Sequence, residues 1–108
     1  MFYSKKSKPS LDDLFKDLDH PNPNINKKAC SNMAAFWPEA SMERLIGNLS
    51  EKDLILRRKS VKALGCFGNK ALLPIIRTFL NDDDITIRTS CLKVFVKIAS
   101  IEKYELIP

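Results

Sequence analysis

Leu49–Gly68 reads LSEKDLILRRKSVKALGCFG, and the same pattern occurs on either side of it. Leu49 has counterparts 31 residues away in each direction, at Leu18 and Leu80. In that register Asp53 aligns with Asn22 and Asp84, Leu56 with Ile25 and Ile87, and Arg57 with Asn26 and Arg88. Leu64 aligns with Met33 and Phe95, and Phe67 with Phe36 and Ile98. A fixed period of this length marks a solenoid, whose units each bury an apolar face against their neighbours.

Each unit divides into two helices. In the first, apolar residues recur at i, i+3, i+4 and i+7, as Leu11, Leu14, Phe15, Leu18 and again as Met42, Leu45, Ile46, Leu49. That spacing lays one apolar stripe along a helix. The third copy, Ala71 to Leu80, is apolar around more of its circumference and carries Pro74 near its first turn, where a missing N–H is tolerated. The second helices begin at Asn22, Asp53 and Asp84, whose side chains can accept the free N–H groups of a first turn. Their inward positions read Ile25, Ala29, Cys30, Met33, Phe36; Leu56, Ser60, Val61, Leu64, Phe67; and Ile87, Cys91, Leu92, Phe95, Ile98. No alternating segment is flanked by hairpin turns. The expected fold is all-α, a right-handed α-solenoid of about three 31-residue helix pairs, forming one domain over residues 9–108 behind a flexible basic arm, 1–8. Ile101 to Pro108 matches the first helix of a fourth unit, so a truncated C-terminal helix is expected, with apolar surface left open there.

The composition sets bounds on partners and compartment. The charge of +5 favours an acidic partner. No apolar run approaches the roughly 20 residues of a membrane span, and the N-terminus lacks the apolar core of a secretory signal. Cys30, Cys66 and Cys91 are odd in number and lack CxxC spacing, which suggests packing roles in a reducing compartment. The expected location is the cytoplasm or an equivalent such as the plastid stroma.

Two stretches carry a family resemblance. ALLPIIRTFLNDDDITIRTSCLKVFVKIAS, Ala71–Ser100, resembles the HEAT-repeat pattern of an L-L-P helix, an Asp turn, and an apolar-Arg opening of the next helix. Leu56–Gly68 is similar to the V-R-x-x-A-x-x-A-L-G-x-x-G core of the phycobilisome-lyase HEAT-like repeats. The resemblance implies an inter-repeat ladder pairing Glu51 with Arg57 and Asp82 with Arg88, with His20 and Asn26 at the matching positions of the first unit. It also implies that the second helices line a concave surface. Its functional implication is a protein-binding module, an accessory subunit, chaperone-like factor or adaptor, that acts on phycobiliproteins in bilin attachment, assembly or turnover. The expected partners are a phycobiliprotein subunit, a second lyase-type chain, or another copy through the open C-terminal end. No resident cofactor is expected, only a transient bilin contact.

The candidate chemistry is sparse. His20, the one histidine, lies in an Asp-His-Pro-Asn-Pro turn with no nucleophile in context, so turn duty is the better reading. Asp82, Asp83 and Asp84 lack the glycine and further carboxylate of a calcium loop and read as a helix-capping turn. No metal site and no self-sufficient enzyme is expected; any activity would belong to a bilin lyase complex. The basic residues carry more information. Lys27 and Arg58 share a repeat position, as do Lys28 and Lys59, and Lys62 and Lys93. All six fall between the apolar positions, so they face away from the core, and the resemblance would place them on the concave face as the expected partner-binding stripe. A nucleic-acid-binding module, or a generic scaffold, is the alternative; exposed aromatics interleaved for base stacking are not evident.

Overall fold

The computed structural model describes residues 8–106 of the chain, with side chains described for 8–100. Six α-helices and no strand occur among the described residues: α1 Leu11–Leu18, α2 Pro23–Phe36, α3 Pro38–Gly47, α4 Leu54–Cys66, α5 Asn69–Asn81 and α6 Ile85–Leu106. A short 3₁₀ turn, Asn48–Ser50, follows α3.

The helix starts follow from local chemistry. The Asn22 side chain accepts from the Asn24 N–H at 2.9 Å, with Pro23 in the first turn behind it. Asp53 accepts from Ile55 and Leu56, and Asp84 from Thr86 and Ile87, the latter at 2.8 and 3.1 Å. Each bond satisfies a first-turn N–H that has no partner within the helix. Gly68, at φ 61°, makes the turn between α4 and α5, in a backbone region that side chains with a Cβ rarely enter. Pro74 lies inside α5, past the first turn, so Lys70 loses a helical partner for its carbonyl.

The chain forms two compact units, 1–41 and 42–108. In the first, α1 packs on α2, and Leu14, Ala29, Cys30 and Met33 are buried. Most of the arm, 1–7, lies outside the described residues. Its last part is held to Trp37, whose indole N–H donates to the Pro9 carbonyl at 2.8 Å while the Lys8 ammonium sits 4.0 Å from the ring centre. In the second unit α6 packs on both α4 and α5. Its core holds Leu45, Leu49, Val61, Leu64, Phe67, Ile75, Cys91, Val94 and Ile98. Phe79 and Phe95 meet edge to face, 6.2 Å between centroids, and the Ser90 hydroxyl reaches the Leu49 carbonyl at 3.4 Å.

Two expectations need correction. The C-terminal segment is not a separate truncated helix: α6 runs unbroken for 22 residues, through Ser100 and Ile101 to Leu106. Nothing between Val94 and Leu106 breaks a helix, since no Gly or Pro occurs there. The side chains of 101–108, where a cap was expected, lie outside the described residues. The third unit also does not bury all its repeat positions. Leu80 is 70% exposed where Leu49 is fully buried, and Leu92 is 50% exposed where Val61 is 4% exposed. Periodicity tells which residues share a face, and the presence of a neighbour decides whether that face is covered.

Candidate functional site

The anchoring residues of the three repeats act inside their own repeats. Asn26, Arg57 and Arg88 each reach back six residues to the end of the preceding helix. The Asn26 amide donates to the carbonyls of Asp17, Leu18 and His20. Arg57 donates to the Glu51 carbonyl at 2.6 Å. Arg88 donates to the carbonyls of Phe79 and Asp82 at 2.5 and 3.3 Å. The acceptor is main-chain oxygen every time, so the expected carboxylate–Arg pairing of a ladder is replaced by capping of a helix C-terminus. Carbonyls there lack helical partners and carry the negative end of the helix dipole, which a guanidinium answers on both counts. Asn26 meets the hydrogen-bonding part of that need without a charge. The Asp82 carboxylate accepts instead from the Asp84 N–H at 2.9 Å, and the Arg88 guanidinium lies 3.9 Å from the centre of the Phe79 ring.

A groove of about 570 Å³ lies between α4 and α6 in the second unit. Val61, Leu92 and Val96 form its apolar lining, and Thr89 adds a hydroxyl. Arg57, Arg58, Lys62, Lys93 and Lys97 complete the lining, and no carboxylate contributes to it. Arg58 and Lys62 stand one turn apart on α4, and Lys93 and Lys97 stand one turn apart on α6. The two helices thus present facing pairs of cations over an apolar floor. Among the expected stripe residues, the groove gathers Arg58, Lys62 and Lys93. Lys59 is half-buried and does not line it. Lys27 and Lys28 are exposed on α2 in the first unit.

Sequence reasoning missed Lys97, Leu92 and Val96 as members of this site. Lys97 has no basic counterpart in the repeat register, where Cys66 stands 31 residues before it. Its only signal was position, one helical turn after Lys93. Leu92 was assigned to the core, and only the exposure of α6 shows it as surface. Gly65 sets how closely the two helices approach. A Cβ added there would meet the Lys97 Cβ at 2.8 Å, so glycine lets α6 approach α4 closely.

The packing role expected of the three cysteines fits Cys30 and Cys91 but not Cys66, whose repeat position falls on the exposed face of α4. Cys30 and Cys91 are buried, Cys66 is exposed, and none is in a disulfide. Burial pushes the Cys91 thiol up, with Asp82 adding to the effect and Arg88 opposing it. Such a thiol is a poor nucleophile. Among the described residues no cluster of His, Cys, Asp and Glu is arranged to hold a metal, and no helix is long and apolar enough to cross a membrane.

Residues 7–102 match the family described as HEAT repeats. The chain is 33% identical over 89 residues to a protein named "Uncharacterized phycocyanin operon protein Z" from Pseudanabaena tenuis (strain PCC 7409), covering 82% of this chain and 44% of that protein. It is 32% identical over 71 residues to "Bilin biosynthesis protein CpeZ" of Synechococcus sp. (strain WH8020), covering 66% of this chain and 38% of the relative. The chain therefore spans less than half the length of the curated relatives it matches. No solved structure gives a significant match.

Proposed function

This chain belongs to the HEAT-repeat family, and from that premise we propose that it is a protein-binding module acting on phycobiliproteins. In this reading it serves as an accessory subunit, chaperone-like factor or adaptor in bilin attachment, assembly or turnover. The observation that carries it is the groove between α4 and α6, where five cations surround an apolar floor without a carboxylate among them. A surface of that kind favours an acidic protein: the charges speed and orient encounter, and the floor supplies the desolvated contact. The names of the two relatives, one from a phycocyanin operon and one in bilin biosynthesis, support a phycobiliprotein as that acidic protein. Lys59 adds charge on α4 outside the groove lining, and Lys27 and Lys28 are further candidate docking cations on the first unit.

The lining has no histidine, cysteine or carboxylate, and in this reading its lysines serve as docking charges. Its work is docking, and any contact with bilin is transient. A second lyase-type chain is the further partner this reading admits. The place of action is the cytoplasm or plastid stroma, where phycobiliproteins are handled.

A capture assay tests this. Immobilised chain should retain purified phycocyanin or phycoerythrin subunits at low ionic strength and release them as salt rises past the physiological range, since exposed charge contacts are screened over roughly 8–10 Å. Replacing Arg58, Lys62 and Lys93 together with Glu should abolish retention while circular dichroism stays unchanged. Retention by the triple variant would refute the docking face. Salt-dependent retention of duplex DNA, with none of phycobiliprotein, would favour the nucleic-acid alternative.

A further inference from the structure

We infer that the exposed strip of α6 formed by Leu92 and Val96 is a seat for a helix, and that its occupant is an acidic amphipathic helix of a partner protein. The inference rests on the docking reading above and narrows it to one kind of segment at one place.

That the occupant is a helix follows from the repeat. On α4, Gly65 takes the approach of α6, since a Cβ there would collide with Lys97, and Val61, one turn earlier, is 4% exposed. Thirty-one residues later the same two positions are Leu92 and Val96, which are 50% and 65% exposed. α6 thus repeats these two positions of α4 as larger apolar side chains and leaves them exposed along the groove. The seats differ in depth. Val96 stands where Gly65 lets two backbones approach, so the occupant lies farther from α6 than α6 does from α4. Side-chain interdigitation at ordinary helix spacing, about 8–10 Å between axes, would hold it.

That the occupant is acidic follows from the rim. Lys93 and Lys97 flank the strip on α6 itself, and Arg58 and Lys62 face them across the groove. A helix with an apolar stripe and carboxylates beside it satisfies both floor and rim, the arrangement of helix-in-groove recognition. A second copy of this chain would bring a net charge of +5 to a surface that is already cationic, which favours an unlike partner.

The test is fluorescence anisotropy with three labelled synthetic peptides of about 20 residues, long enough for helix formation. One carries a leucine stripe flanked by Glu, one the same stripe flanked by Lys, and one the Glu flanks with Ser in place of Leu. Only the first should bind, and both Leu92→Glu with Val96→Glu and, separately, Lys93→Glu with Lys97→Glu should weaken it at least tenfold. All four sites are exposed, so the variants should keep the parent circular dichroism spectrum. Equal binding of the Lys-flanked or Ser-striped peptide, or unchanged affinity of the Leu92→Glu, Val96→Glu variant, would overturn the inference. So would a dimer in sedimentation equilibrium that the same variant dissolves, because the strip would then belong to a second copy. Phycocyanin capture without peptide binding would remove the helix seat and leave the docking reading in place. Peptide binding without phycocyanin capture would uphold the seat and remove phycobiliproteins as the target.

Discussion

The helices α4 and α6 occupy the same place in successive repeats, yet one is interior and the other is surface. Val61 and Leu92 are equivalent, as are Gly65 and Val96, and Arg57 and Arg88. α4 packs against α6 and its Val61 is buried, whereas the equivalent positions of α6 carry exposed Leu92 and Val96. The same stripe of apolar residues therefore contributes cohesion in one repeat and recognition in the next. A repeat position has no fixed energetic value; its value depends on what stands against it.

The sharpest way to break this comparison is at Gly65. Gly65→Val forces a side chain into the Lys97 contact and should cost about 3 kcal/mol through overpacking. Val96→Ala, at the equivalent position, should change stability by no more than about 0.5 kcal/mol, since it removes little buried area and raises helix propensity. Urea melts followed by circular dichroism separate the two, and equal costs would mean that α6 does not approach α4 as described.

A smaller contrast is expected one turn earlier. Val61→Ala should cost about 2 kcal/mol, from lost burial and the cavity left behind. Leu92→Ala should cost about 0.5 kcal/mol, despite deleting a larger side chain, because half of that side chain already faces water. If Leu92→Ala proves the more damaging, the strip is covered in solution and is not a free seat.

The arginines sharpen the comparison from the other direction, because here α6 holds the better-packed member. Arg88 donates to two carbonyls and covers the Phe79 ring, while Arg57 donates to one carbonyl. Arg88→Ala should cost about 2 kcal/mol and Arg57→Ala about 1 kcal/mol. Equal melts would show that the Phe79 contact contributes nothing.

Cys91 provides the mildest test. Its thiol is pushed up by burial, so the folded chain holds that proton more tightly than the unfolded chain does. Stability should then fall as pH rises through the ordinary thiol range toward the raised value, by at most about 1.4 kcal/mol per pH unit from this group. Cys91→Ala should flatten that slope in melts taken between about pH 8 and 10. A slope unchanged by the substitution would show that other groups set it. Thiol labelling of the native chain should reach Cys66 first.

Much of this protein was legible before folding was considered. The 31-residue register, the paired helices, and the caps at Asn22, Asp53 and Asp84 all depend on interactions within a few residues, and local sequence dictates those. The cationic character of Arg58, Lys62 and Lys93 was legible too, because a residue between two apolar positions on one helix must point away from the core. The acceptors of Arg57 and Arg88 were not. Sequence shows which side chains carry charge, but a carboxylate and a main-chain carbonyl six residues away compete for the same guanidinium, and only the path of the chain at the helix end decides between them. The continuous α6 escaped notice because the register promised a turn near Ser100 while no residue there breaks a helix.

The sequence by itself determined an all-α repeat fold and the polarity of each helix face, since both follow from spacing along one chain. Tertiary structure alone decided which apolar positions are covered, that Lys97 joins the groove across from Arg58 and Lys62, and that Leu92 and Val96 face solvent. Coverage is a relation between two elements, and the period that makes Val61 and Leu92 identical on paper carries no information about whether a neighbouring helix lies against them.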